Sequence, residues 1–202
     1  MAFRPERPDQ LALATEAGVV QIYSLFTSIP EDLSPPVPGI ADLAFSSDGR
    51  VVAALSRNGV VKVWDWVEKA RVEEYDFTGA SNIQYDAIEF LNGDAWLALA
   101  ASPAESQPSS ASGENSNDPS APQLKLWQRG AQPQPVTTFQ LAGQRASDLA
   151  FNPATQSLTW LQPRGLTRWP MDPAGWLELA CTRSGRNLSY DAWRAAFPAA
   201  DQ

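Results

Sequence analysis

The chain has 202 residues, with 15 basic and 23 acidic side chains, one cysteine and no histidine. Its net charge of −8 argues against sequence-independent nucleic-acid binding, which needs a basic surface. Without histidine there is no Ser-His-Asp or Cys-His machinery and no imidazole metal site. We therefore expect no enzymatic activity and no cofactor. A lone cysteine and the lack of a long apolar run predict a cytoplasmic chain without a membrane span.

Four segments share one pattern, in which an apolar stretch ends at Phe and a later stretch closes on a second aromatic residue. The successive pairs are Phe3 and Tyr23, Phe45 and Trp64, Phe90 and Trp127, and Phe151 and Trp169. The spacing within the pairs is 20, 19, 37 and 18 residues, so the third segment carries an insertion. Without it, the period is about 40 residues, as in a four-stranded propeller blade. These eight aromatic residues are the predicted core of the blades.

The insertion is placed at about 102–122, a stretch rich in Ser, Pro and Asn. It contains no aromatic and no branched aliphatic residue, so it cannot bury enough apolar surface to offset the entropy of ordering it. We expect this stretch to be a disordered loop.

The second segment predicts strands most clearly. Two apolar runs, 51–55 and 60–64, flank Asn58-Gly59, a strong hairpin signal in which both turn residues are expected at positive φ. Outer strands are predicted at 71–77 and 135–141. The proline-rich stretch 29–38 suits an outer edge or a loop. The acidic residues around Tyr75 (Glu73, Glu74 and Asp76) are interpreted as the solvated edge of an outer strand.

The pattern changes after Trp169. The stretch 175–202 is predicted to be helical, with Ser189 as an N-cap and an apolar helix face that includes Trp193. We expect 173–202 to form a short cap that docks on the sheets. The side chains expected to hold it there are Arg186, Asn187 and Trp193.

The segments LAFSSDGRVVAALSRNGVVKVWDW, from Leu43, and LAFNPATQSLTWLQPRGLTRWPMD, from Leu149, resemble WD40 repeats. Trp64-Asp65 keeps the dipeptide that names the family, whereas the Gly-His pair is absent. The tail WLELACTRSGRNLSYDAWRAAFP resembles the C-terminal extension of large bacterial WD40 signalling proteins. The resemblance implies an all-β fold over 1–172, a WD40-like β-propeller segment of about four blades, followed by a short α-helical C-terminal cap.

WD40 propellers usually have seven or eight blades, so the resemblance also implies a larger or split propeller. Its open faces would be covered by a protein partner, either a chain that supplies the missing blades or a second copy. We expect a non-catalytic interaction scaffold, the C-terminal sensor or partner-binding part of that propeller. The alternative is a subunit completing an enzyme or structural assembly whose catalytic residues lie on another chain. Trp66, Trp96 and Trp160 are candidates for the partner surface, where tryptophan is enriched.

Overall fold

The computed structural model describes residues 1–77, 83–91, 93–104, 122–130, 137–140, 145–163 and 165–171. All regular structure in these ranges is β, and it forms four small antiparallel sheets, which confirms the expected all-β class. No helix in these ranges is long and apolar enough to cross a membrane. The predicted helical tail, with Arg186, Asn187 and Trp193, lies outside the described residues. So does 105–121, most of the predicted insertion.

Each sheet is a meander in which strands adjacent in the chain pair with one another. The first sheet comprises β1 (Ala2–Arg4), β2 (Arg7–Ala14), β3 (Val20–Ser24) and β4 (Thr27–Leu33). The second comprises β5 (Ile40–Phe45), β6 (Val51–Ser56), β7 (Val60–Asp65) and β8 (Ala70–Asp76). The third comprises β9 (Ile83–Leu91), β10 (Trp96–Pro103), β11 (Gln123–Gln128) and β12 (Thr137–Gln140). Three strands form the fourth sheet within the described residues: β13 (Asp148–Asn152), β14 (Ser157–Gln162) and β15 (Gly165–Pro170).

The sheets stack in chain order through their first strands, because β1 lies against β5, β5 against β9, and β9 against β13. The alternation of side chains along a strand gives each sheet two faces. Three separate apolar clusters fill the junctions between the first and second, second and third, and third and fourth sheets. The core is therefore divided into three layers, each shared by two neighbouring sheets.

One strand boundary differs from the prediction, and one stretch predicted as either an outer edge or a loop lies at an outer edge. β10 continues to Pro103, so the insertion begins later than 102. A register shift between Ala100 and Ala101 keeps this strand paired with β9, and Ser102 is buried with its hydroxyl donating to Asp86. In the first sheet, the proline-rich region forms an outer strand, β4, which ends at Leu33.

The hairpin between β6 and β7 also differs in detail. Gly59 has φ 98°, but Asn58 is not in the positive-φ region, contrary to the prediction. The amide of Gly59 donates to the carbonyl of Ser56 at 3.1 Å. A Cβ at Gly59 would lie 2.7 Å from the ring of Tyr85 in β9, so this turn requires glycine for its conformation and its close approach to the third sheet.

Candidate functional site

One cross-strand ladder recurs in the second, third and fourth sheets. It runs from a Phe near the end of the first strand, through an aliphatic residue on the second, to a Trp on the third. The three ladders are Phe45–Val52–Trp64, Phe90–Leu97–Trp127 and Phe151–Leu158–Trp169. Each belongs to the cluster shared with the preceding sheet. The ladder is thus the surface that a sheet turns toward its predecessor.

The first sheet carries the equivalent ladder, Phe3–Leu11–Tyr23, with no described sheet in front of it. Phe3 is 58% exposed, and Leu11 and Tyr23 are partly exposed. Phe3, predicted as blade core, is therefore exposed in this chain, whereas Tyr23 is half-buried. The physical reason is that the opposite face of the sheet, with Ala12 and Ile22, is the one that packs on the second sheet.

We call the uncovered side, formed by Phe3, Leu11, Leu13 and Tyr23, the open face of the first sheet. It has a polar margin, because the Tyr23 hydroxyl donates to Gln21 Oε1 at 3.2 Å. Gln21 Nε2 in turn donates to Asp32 Oδ1 at 2.7 Å. An apolar centre with a hydrogen-bonded polar margin is the usual construction of a protein–protein interface.

The hairpin between β3 and β4 adds further exposed apolar area to the first sheet. Leu25, Phe26 and Ile29 are 68%, 85% and 83% exposed. Leu25 lies two residues after Tyr23, the position that Trp66 has after Trp64 and Arg129 has after Trp127. Trp66 and Arg129 each contact a residue of the preceding sheet, Arg4 and Glu73 respectively, whereas Leu25 faces solvent. Single exposed apolar residues are common on proteins, but a contiguous exposed apolar patch often marks an interaction site.

The three tryptophans proposed for a partner surface lie elsewhere. Trp160 is 5% exposed and packs between the third and fourth sheets, so its ring is not available to a partner. Trp96 is half-buried against the same cluster. Trp66 is also half-buried, with Nε1 donating to the carbonyl of Gly49 at 2.9 Å and the Arg4 guanidinium 4.8 Å from its ring centroid. None of the three forms part of the open face.

Carboxylates on the first strands link neighbouring sheets. Asp42 Oδ1 accepts the amide of Leu43 at 2.8 Å, and its Oδ2 accepts the amide of Ile88 in the third sheet at 3.0 Å. Burial raises the pKa of Asp42. Glu89 lies on β9, which packs against the fourth sheet, and burial raises its pKa to about 8. Within the described residues, no three acidic side chains form a group that could hold a metal ion.

An ion pair forms a second connection, between the second and third sheets. Arg129 Nη2 lies 3.1 Å from Glu73 Oε1 of the second sheet, and both side chains are less than a fifth exposed. Arg129 Nη1 donates to the carbonyl of Asp94, whose carboxylate accepts the amide of Ser47 at 2.8 Å. Burial and a hydrogen bond to Glu73 raise the pKa of Tyr75 to about 12. The interpretation of Glu73 as a solvated edge residue is wrong, because it pairs across the junction.

Sequence reasoning missed Leu11 and Leu13, although alternation in β2 gives a signal. The larger residues flank Ala12, which packs on the second sheet, and therefore point away from it. It also missed the first-strand carboxylates, although the string Asp-Leu-Ala-Phe occurs twice, beginning at Asp42 and at Asp148. No model of a known protein family matches the chain, and no curated protein sequence matches it significantly.

Proposed function

We propose that this chain is a non-catalytic interaction module built from WD40-like blades, and that it forms part of a larger or split β-propeller. The four meander sheets support the architecture, since they stack in chain order through their first strands. Propellers of this kind present rigid sheets and loops for recognition without chemistry. In this proposal the chain is the C-terminal, partner-binding part of the assembly.

The open face of the first sheet carries the proposal. In three sheets the Phe–aliphatic–aromatic ladder packs on the preceding sheet, whereas in the first sheet Phe3 is exposed and Leu11 and Tyr23 are partly exposed. Aromatic residues in an apolar patch are the usual anchors of protein interfaces. We therefore assign Phe3, Leu11 and Tyr23 as the centre of a surface that binds another polypeptide.

Site-specific photo-crosslinking tests this proposal. A benzophenone-bearing amino acid replaces Phe3 in the full chain, which is expressed in its native cells and irradiated. The matched control places the same probe at Val67, which is 47% exposed in the turn between β7 and β8. We expect a discrete polypeptide adduct from position 3 and none from position 67. Adducts at both positions alike, or none from position 3, would contradict the proposed function.

A further inference from the structure

The fourth sheet also has a side, facing away from the third sheet, on which no other described sheet packs. Leu161 and Leu166 lie there, 43% and 71% exposed, and Ala150 is exposed as well. These positions match the side that the second sheet turns toward the third. Leu161 pairs with Asp148 and with Leu166, as Leu55 pairs with Asp42 and with Val61. The positions are thus equivalent in register, although their exposure differs.

In the second sheet, the equivalent apolar positions are buried. Ala44, Leu55 and Val61 belong to the cluster that covers the ladder Phe90–Leu97–Trp127 of the third sheet. That ladder is the register equivalent of Phe3–Leu11–Tyr23. The first and fourth sheets therefore carry the two halves of the same type of junction, with no described sheet packed on either.

A hydrogen-bonding group accompanies the apolar match. One carboxylate oxygen of Asp42 accepts the amide of Leu43, and the other accepts the amide of Ile88 in the first strand of the third sheet. Asp148 accepts the amide of Leu149 at 2.8 Å in the same way. Its second oxygen has no hydrogen-bond partner among the described residues, and the side chain is exposed. In the register of the second and third sheets, the position of Ile88 corresponds to Met1 of the first sheet, so a further copy would bring the backbone nitrogen of Met1 to this oxygen.

We propose that the fourth sheet of one copy docks on the open face of the first sheet of a second copy, in the arrangement of the second and third sheets. This inference rests on the proposed function and names its partner. The contact continues the three junctions within the chain and joins two different surfaces, so copies associate head to tail. Thr159 and Arg168 occupy the places of Ala53 and Val63. The contact is therefore more polar than the internal junctions, which suits reversible association.

Sedimentation velocity of the full chain over a range of concentrations tests the inference. We compare Phe3→Glu, Leu166→Glu and the control Val67→Glu, all at exposed positions where folding is expected to survive. Phe3→Glu and Leu166→Glu, the two face variants, are each expected to weaken self-association by about tenfold or more, because each would bury an unpaired carboxylate in the contact between copies. The control is expected to associate like the unchanged chain. Circular dichroism verifies that each variant is folded.

Mixing the two face variants gives the decisive readout. The Phe3→Glu chain keeps an unaltered fourth sheet, and the Leu166→Glu chain keeps an unaltered first sheet. One contact of the proposed kind therefore remains, and the mixture is expected to form a heterodimer while each variant alone stays monomeric. Asp148→Asn is expected to weaken association by about tenfold, because it removes a charged acceptor for the backbone nitrogen of Met1 in the second copy.

Three results would overturn the inference. These are a monomer at every concentration, association that only Phe3→Glu abolishes, and a mixture that stays monomeric. None of them removes the proposed function, which stands as long as a probe at position 3 forms an adduct with another polypeptide. If neither an adduct nor association is found, both proposals fail.

Discussion

The ladders of the third and first sheets have the same plan and opposite surroundings. Phe90 and Trp127 are 3% and 2% exposed beneath the second sheet, whereas Phe3 is 58% exposed. Both ladders alternate along paired strands in the same register. The difference shows that local pattern sets which residues share a face, while the neighbouring sheet decides whether that face is core or surface.

The largest expected contrast comes from alanine at the middle of each ladder. Leu97→Ala removes a side chain that is 1% exposed and is expected to lower the free energy of unfolding by about 2–5 kcal/mol. Leu11→Ala, at the equivalent place on the open face, is expected to cost less than about 1 kcal/mol in dilute solution. Urea denaturation of both variants measures the contrast. Equal losses would mean that Leu11 is covered as fully as Leu97.

The junction between the third and fourth sheets is expected to weaken as pH rises. The pKa of Glu89 is about 8 in the folded chain, against an ordinary value of 4.5, so folding binds its proton more tightly. The stability that Glu89 contributes is fully present below about pH 4.5 and is lost as the pH rises to about 8, by at most about 5 kcal/mol. Chemical denaturation across this range measures the fall. Glu89→Gln is expected to remove this fall in the free energy of unfolding. Glu16→Gln, at an exposed turn, is expected to leave the fall unchanged. A fall that persists in Glu89→Gln would show that Glu89 does not cause it.

The ion pair between the second and third sheets is the next test. Arg129→Met keeps an apolar stem but leaves Glu73 without its cation, with an expected cost of about 2 kcal/mol. The matched control is Arg7→Met. Arg7 is 3.5 Å from Asp9 but its side chain is 60% exposed, so its loss is expected to cost less than about 0.5 kcal/mol. Thermal unfolding compares the two variants, and indistinguishable midpoints would show that the cross-sheet pair adds nothing to the junction.

The smallest contrast concerns the two Asp-Leu-Ala-Phe strands. Asp42→Ala leaves the amides of Leu43 and Ile88 without their acceptor, and it is expected to cost about 1–2 kcal/mol. Asp148→Ala removes an exposed acceptor of one amide and is expected to cost under about 0.5 kcal/mol in dilute chain. Urea midpoints provide the comparison. A larger loss for Asp148→Ala would place an additional strand on the fourth sheet of the monomer.

Much of the strand layout follows from sequence alone. The apolar runs on either side of Asn58-Gly59 became β6 and β7, and the outer strand predicted at 71–77 was found at Ala70–Asp76. These features depend on alternation and turn chemistry, which act over a few residues. Phe45, Phe90 and Phe151 likewise lie within one residue of the end of the first strand of their sheets.

The surroundings of individual side chains could not be read in the same way. The burial of Glu73 depends on Arg129, which is 56 residues away in the chain. The sequence around Trp160 and Phe3 does not show whether either side chain is exposed, because both are aromatic residues in strands whose side chains alternate between two faces. Only the stacking of sheets places Trp160 inside a junction and leaves Phe3 outside one. Contacts distant in sequence therefore decided the candidate site.

The division of the core into three layers has a consequence for how such a molecule changes size. A whole sheet could be gained or lost without redesign of the remainder, because each layer is formed by only two neighbours. Duplication of the coding sequence for one sheet would supply both packing faces of the new sheet. The change in free energy would then be limited to the junction where the new sheet is inserted.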